Sequence, residues 1–121
     1  MQRKNFFISL GFALRGLREF FRSELHAIYH SIAAIVVVIA GIVFQVTRYE
    51  WLFLVLAISL VFLTEVINTL LERFMDLVHP GQHIKAGQVK DMAASAVLVA
   101  TVTAIVIGIV VFTPYIRSYL F

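Results

Sequence analysis

The chain has 121 residues, of which 61% are hydrophobic and 14% are charged, and its formal net charge is +3 at pH 7. A soluble domain of this length has too little interior to bury so much apolar surface. The composition therefore excludes an ordinary soluble domain and indicates one membrane-embedded domain, residues 1–121. The absence of cysteine excludes disulfide bonds and thiolate metal sites.

Residues 3–27 are predicted to form an amphipathic helix that lies on the membrane surface. Apolar side chains recur every three or four residues and basic side chains gather on another side, as in helices bound to anionic lipid. A helix packed inside a bundle is the alternative. Glu24 is a candidate metal ligand, or alternatively a solvated capping acid. The segment has no apolar core or small-residue cleavage site, so we expect no cleavable signal peptide.

Three apolar stretches are predicted to cross the membrane as α-helices. They are residues 28–47, 51–71 and 92–113. His30 lies near the cytoplasmic end of the first stretch and is expected to be an interfacial histidine, with a catalytic role as the alternative. The short connection between the first two stretches makes them antiparallel neighbours. The predicted fold class is therefore an all-α membrane protein with a surface helix and three transmembrane helices.

The second predicted helix continues beyond the membrane to residue 78. Pro80 and Gly81 should end it, because proline lacks a backbone donor and glycine favours turns. A polar cytoplasmic loop is expected over residues 80–89, and Pro114 should close the third helix. Small residues recur along that third helix and would permit close helix packing in lipid.

The distribution of basic residues predicts the orientation in the membrane. Eight basic residues lie in the N-terminal segment and in residues 72–91, and two lie in the remaining flanking segments. Because cytoplasmic segments of membrane proteins are enriched in lysine and arginine, we expect the N-terminus and the 80–89 loop to be cytoplasmic. The polar residues near these segments would therefore face the cytoplasm, where ATP and Mg²⁺ are available.

Polar side chains follow one face of the second span. Glu65, Asn68, Glu72 and Asp76 are spaced at i, i+3, i+7 and i+11, which places them within about 80° around an α-helix. Glu65 lies inside the apolar stretch, where a carboxylate costs about 2.5–3.5 kcal/mol on insertion scales. A cost of this size indicates a functional role.

These residues would suit phosphoryl transfer from a nucleotide to a lipid alcohol. Glu24 and Glu72, both near the headgroups, could hold Mg²⁺ together with substrate phosphates. Lys90 could bind a phosphate group, and Glu65 could act as a general base on a hydroxyl at the lipid interface. A structural polar network or a path for ions or protons is the alternative. The sequence contains no GxxxxGK[ST] loop, so a kinase built on that nucleotide-binding motif is excluded.

The motifs resemble those of the prokaryotic integral-membrane diacylglycerol kinases and their undecaprenol kinase relatives. The similarity covers nearly the whole chain and includes the run from Arg15 to Leu17 and the pair Glu24 and His30. Its central motifs are Glu65-x-x-Asn68-Thr69-x-x-Glu72 with Asp76, His79-Pro80, and Lys90-Asp91-Met92-Ala93-Ala94. The pair Glu24 and His30 favours the undecaprenol kinase branch.

The resemblance implies a set of roles for individual residues. Glu65 would be the general base, and Glu24 and Glu72 would bind Mg²⁺ with ATP. Further residues would contact the nucleotide, namely Gly81, Gln82, His83, Lys90 and Asp91. The lipid substrate would meet Arg15, Gly16, Leu17 and Asn68. The resemblance also implies a homotrimer with active sites between subunits.

Two other functions remain open from the residues alone. A small ion or proton conductor could use Glu65 as an intramembrane relay and would need neither Lys90 nor a nucleotide. A purely structural subunit is the third alternative, although the cost of burying Glu65 counts against it. The sequence leaves open whether a kinase would phosphorylate diacylglycerol or undecaprenol.

Overall fold

The computed structural model describes residues 5–121, and that range contains four α-helices and no β-strand. In chain order they are α1 (Phe6–Ser23), α2 (Leu25–Phe44), α3 (Arg48–Val78) and α4 (Ile84–Leu120). The last three are long and apolar enough to cross a membrane. The predicted all-α architecture, with a short N-terminal helix and three membrane-spanning helices, is confirmed. The predicted start of the first helix at residue 3 lies outside the described residues.

Helix α1 contacts the other helices mainly through its C-terminal end. Asn5 caps its start, since its side chain accepts a hydrogen bond from the Ile8 backbone N–H at 2.9 Å. Phe20 is buried, and the Phe21 ring lies 5.7 Å from the Phe62 ring of α3. Most of the other apolar side chains of α1 are exposed, as expected for a helix that meets lipid along one side.

The first helix ends earlier than predicted. It was expected to reach residue 27, but the backbone of Glu24 is extended, with φ −110° and ψ 117°. Helix α2 therefore begins at Leu25, within the segment assigned to the surface helix. The amphipathic pattern did not reveal this break, because the sequence there contains neither proline nor glycine.

A tight turn joins α2 to α3. Gln45 adopts a left-handed conformation with φ 53°, which ends α2. Thr47 then caps α3, and its backbone N–H is in turn bonded by the Glu50 side chain. Val46, Leu54 and Val111 form an apolar cluster beside this turn. The turn and the cluster hold the three long helices together at the end that is farthest from α1.

Helices α3 and α4 pack closely along their length. On α3 the buried residues recur at three- and four-residue intervals, and on α4 most of them are alanines. Because alanine permits close approach of two backbones, the small-residue pattern predicted to promote packing in lipid serves this contact. The buried residues are Leu54, Ala57, Val61, Glu65 and Thr69 on α3, and Ala86, Ala93, Ala100 and Val111 on α4.

Two predicted boundaries of the last helix are wrong. The loop was expected to occupy residues 80–89, but α4 begins at Ile84, because the His83 ring nitrogen Nδ1 accepts a hydrogen bond from the Ala86 backbone N–H at 3.4 Å. Pro114 was expected to close the helix but lies inside it. Contacts beyond the proline offset its missing donor: Tyr115 donates a hydrogen bond to Glu50, and the Phe44 ring lies 5.5 Å from that of Tyr119.

Candidate active site

The polar face predicted for the second span is present on α3 and changes from buried to exposed along the helix. Glu65 is 6% exposed, Asn68 and Glu72 are half-buried, and Asp76 is exposed. The four side chains therefore lead from the protein interior toward one end of the helix, where α1 ends and α4 begins. This end contains the candidate active site.

Glu65 forms a hydrogen bond with a histidine of α2. Its Oε1 atom lies 2.8 Å from Nε2 of His30, and both side chains are largely removed from solvent. The His30 ring also meets the Phe62 ring edge to face, with the centroids 6.3 Å apart. His30 thus provides a polar partner for a carboxylate that would otherwise be buried among apolar side chains.

Asn68 lies one turn further along α3 and approaches Glu72. Its Nδ2 atom is 3.5 Å from Oε1 of Glu72, at the outer limit of a hydrogen bond. Its Oδ1 atom is buried and accepts no hydrogen bond from any residue of the described range 5–121. A buried amide oxygen without a donor costs about 1–3 kcal/mol, so Asn68 can accept a hydrogen bond from a bound ligand at a net gain.

Glu24 lies at the junction of α1 and α2 and faces α3. Nη2 of Arg73 is 3.7 Å from Glu24 Oε1, and Nη1 of Arg73 is 3.7 Å from Glu19 Oε1. Arg73 also donates a hydrogen bond to the Ser23 hydroxyl. Within the described residues the Glu24 side chain makes no capping hydrogen bond to α2, in contrast to the alternative role considered for it. Arg73 belongs to α3, so these contacts hold the junction of α1 and α2, with Glu24, against that helix.

Lys90 of α4 forms an ion pair with Asp76 of α3, with Nζ 2.6 Å from Oδ1. Beside this pair is an open depression of about 540 Å³. Its lining includes the three loop residues predicted to contact a nucleotide, Gly81, Gln82 and His83, together with Lys90. The structure thus brings four of the predicted nucleotide-binding residues to one surface, beside the outer end of the polar face.

The donor types near α3 fit Mg²⁺. This ion prefers carboxylate oxygens, and protein sites usually supply one or two of them while substrate phosphates and water complete the coordination. Glu24 and Glu72 provide such carboxylates. Across residues 5–121 no three side chains of His, Cys, Asp or Glu are grouped as a metal-binding cluster. An Mg²⁺ ion bound here would therefore need ligands beyond the protein carboxylates, such as the oxygen atoms of a substrate phosphate.

An apolar cavity of about 260 Å³ lies between α2, α3 and α4 and reaches His30. Its wall combines alanines from all three helices with larger apolar side chains, together with Gly108 and Thr101 of α4. The cavity places apolar surface next to the His30–Glu65 pair. An apolar chain attached to a hydroxyl group could occupy such a surface.

The structure does not bring every predicted residue to this site. Arg15, Gly16 and Leu17 are exposed on α1, and none of them forms a hydrogen bond or ion pair with Glu65 or Asn68. Asp91 is exposed on α4 and forms no ion pair with the other residues between positions 5 and 121. These four residues therefore lack structural support for the roles that the resemblance implies.

The sequence interpretation missed the partner of Glu65. His30 was assigned to the interface, although a signal for the contact was available. Counted from the tight turn, His30 lies 14 residues before Phe44 and Glu65 lies 17 residues after Arg48. At 1.5 Å per residue these positions are about 21 Å and about 26 Å from the turn, and so at similar depth in antiparallel helices.

Comparisons with known proteins agree with the family resemblance that the sequence motifs indicated. Residues 11–112 match the family described as prokaryotic diacylglycerol kinase. The chain is 37% identical over 109 residues to the undecaprenol kinase of Bacillus subtilis (strain 168), covering 90% of this chain and 89% of that protein. It is 26% identical over 96 residues to the diacylglycerol kinase of Escherichia coli (strain K12), covering 79% of each chain. It is 30% identical over 105 residues to the diacylglycerol kinase of Synechocystis sp., covering 86% of this chain and 60% of that protein.

Proposed function

The chain belongs to the prokaryotic diacylglycerol kinase family, a family of lipid kinases, and we propose that it transfers the γ-phosphoryl group of ATP to the hydroxyl group of undecaprenol. The buried Glu65, bonded to His30 beside an apolar cavity, is the observation that supports this reaction. The choice of undecaprenol rests on the 37% identity to a protein with that named activity. Diacylglycerol, named for the relatives of 26% and 30% identity, is the second candidate.

In the proposed reaction Glu65 is the general base. The hydroxyl group of the lipid gives its proton to the Glu65 carboxylate as its oxygen forms a bond to the γ-phosphorus atom. The bond from that phosphorus to ADP breaks, and its electrons leave with ADP. Glu65 is suited to this role because it is shielded from bulk water, and it would act on a hydroxyl group that lies at the lipid interface.

The remaining polar residues would position the reactants. Lys90 and the residues Gly81, Gln82 and His83 would hold the nucleotide in the open depression, and Asp91 would assist from the adjacent position. Asn68 would orient the lipid or the base, and its buried Oδ1 atom would need a donor other than the lipid hydroxyl, because that hydroxyl gives its single hydrogen to Glu65. Phosphoryl transfer would then take place at the boundary between the apolar cavity and the solvent.

Glu24 and Glu72 would hold Mg²⁺, which supplies positive charge to the phosphate oxygens. Arg73 would keep Glu24 against α3 through the contact described above. The lipid would enter past Arg15, Gly16 and Leu17 on the exposed face of α1. We also propose that the enzyme works as a homotrimer in the bacterial inner membrane, with the site facing the cytoplasm.

The proposed function is tested by offering γ-labelled ATP to the purified protein with undecaprenol or with diacylglycerol, in separate reactions, and counting lipid-extractable label. We expect label in undecaprenol, a lower rate with diacylglycerol, and loss of label when EDTA removes Mg²⁺. Faster labelling of diacylglycerol would overturn the substrate assignment but keep the kinase. Absence of label in both lipids, from folded protein that conducts ions in liposomes, would instead support the conductor.

A further inference from the structure

His30 is distinguished from the other histidines of the chain by its partner. All four histidines lie in the described range. His26 is exposed and meets the Tyr29 ring at its edge, and His79 and His83 stack on each other with ring centroids 4.6 Å apart. His30 alone of the four contacts a carboxylate, that of Glu65.

The direction of the His30–Glu65 hydrogen bond follows from the role proposed for Glu65. A carboxylate that is to receive a proton must be ionised, and an ionised carboxylate can only accept hydrogen bonds. Nε2 of His30 must therefore carry a hydrogen and donate it to Oε1. Within residues 5–121 the other oxygen of Glu65, Oε2, has no hydrogen-bond donor, so it is the oxygen that can receive the proton of the substrate.

The burial of the pair makes this hydrogen bond important for the geometry of Glu65. The Glu65 side chain is 8% exposed and the His30 side chain is 22% exposed, so water can hardly replace the imidazole as donor. The Phe62 ring also contacts the imidazole edge to face. A carboxylate held at one oxygen by a fixed donor presents its other oxygen in one direction, which is what a base acting on a bound hydroxyl group needs.

We propose that His30 is a positioning residue, which fixes Glu65 by donating a hydrogen bond from Nε2 to Oε1. This proposal rests on the proposed function. His30 lines the apolar cavity but is not among the residues that line the nucleotide depression, so a change at His30 should leave nucleotide binding unaffected. Loss of the donor should therefore lower kcat and leave the KM for ATP unchanged. A misplaced catalytic group can lower a rate by about 100-fold, and we expect a loss of this order.

The test compares His30→Gln with His30→Asn in the labelled-ATP assay. The amide nitrogen of glutamine can reach the position of Nε2, whereas that of asparagine falls short by one methylene group. We expect His30→Gln to retain most of the wild-type kcat. In His30→Asn and His30→Leu, kcat should fall by about 100-fold. His26→Gln is the matched control, because it removes an imidazole from the same helix without affecting Glu65, and it should retain activity.

The Gln and Asn variants carry the same amide group, so a general folding defect would affect both, and thermal unfolding in detergent checks this directly. Equal activity of the two variants, whether high or low, would overturn the positioning role. A parallel rise in the KM for ATP would also overturn it. If the wild-type protein labels no lipid, the proposed function itself fails. Failure of the positioning role alone would instead appear as full activity of His30→Asn beside an active wild-type protein.

Discussion

A carboxylate buried in a membrane helix raises the free energy of the folded protein unless a polar partner offsets the cost. Glu65 has such a partner. Its insertion into an apolar segment costs about 2.5–3.5 kcal/mol, and a hydrogen bond to a charged group returns about 1.5–3 kcal/mol. The bond to His30 therefore offsets much of the cost but does not turn it into a net stabilisation. Stability alone does not explain this residue, in agreement with a role in the reaction.

Replacing Glu65 with glutamine should remove activity and preserve the fold. Glutamine has nearly the same shape and can keep a hydrogen bond to His30, but it cannot accept the proton of a hydroxyl group. We expect kcat to fall by about 10²–10⁴-fold, the range contributed by general bases. The measurement is the rate of lipid labelling, together with thermal unfolding in detergent. Glu50→Gln changes a carboxylate at the other end of α3 and should remain active. A folded Glu65→Gln enzyme with normal turnover would contradict the base assignment.

The residues of the candidate site were more predictable than their contacts. Helical spacing placed Glu65, Asn68 and Glu72 on one face, because that relation depends only on the geometry of α3. The ion pair between Asp76 and Lys90 and the contact of Arg73 with Glu24 were not predicted. Both depend on how separate helices are rotated against each other, which no local pattern specifies.

At the scale of the helices, Gly41 permits a close contact between α2 and α3. A Cβ atom at this position would lie 2.6 Å from the Cη2 atom of Trp51. The Trp51 ring packs against the cluster of Val46, Leu54 and Val111 and so cannot move without disturbing it. Glycine at position 41 is therefore required by packing, although it lowers the intrinsic helix propensity.

Gly41→Ala should destabilise the protein by about 1–3 kcal/mol, the usual cost of an extra group in a packed core. Gly108→Ala is the matched control, because a Cβ atom there would meet no heavy atom within 4 Å of the described chain. Since alanine favours a helix over glycine, the control should be neutral or stabilising. Denaturation of both variants in detergent measures the difference. Equal stability of Gly41→Ala and wild type would show that Trp51 has room to move.

The helix ends also show where sequence patterns stop being sufficient. Hydrophobicity located the long helices, since each must satisfy its backbone hydrogen bonds within the membrane. It failed at Pro114, where contacts of Tyr115 and Tyr119 with residues far away in the chain keep α4 helical. It also failed at Glu24, where contacts with Arg73 accompany an unmarked break. In each case the structure depends on contacts between helices.

At the scale of the whole molecule, the two ends of the bundle differ in chemistry. One end carries Glu24, Glu72, Asp76 and Lys90 beside an open depression. The opposite end carries an apolar and aromatic cluster around Phe44. Since ATP is a cytoplasmic substrate, a kinase requires the polar end to face the cytoplasm, and the excess of basic residues at that end favours the same orientation.

Because the chain has no cysteine, single substitutions can report this orientation without background labelling. Lys85→Cys lies at the start of α4 and Ser118→Cys near its end, both at exposed positions. They are about 50 Å apart along the helix, farther than the ~40–45 Å thickness of a bilayer with its headgroups. A membrane-impermeant maleimide should label Ser118→Cys on intact spheroplasts but label Lys85→Cys only after permeabilisation, and lipid labelling should confirm that both variants are active. The reverse pattern would place the candidate active site away from cytoplasmic ATP and would be incompatible with the proposed kinase.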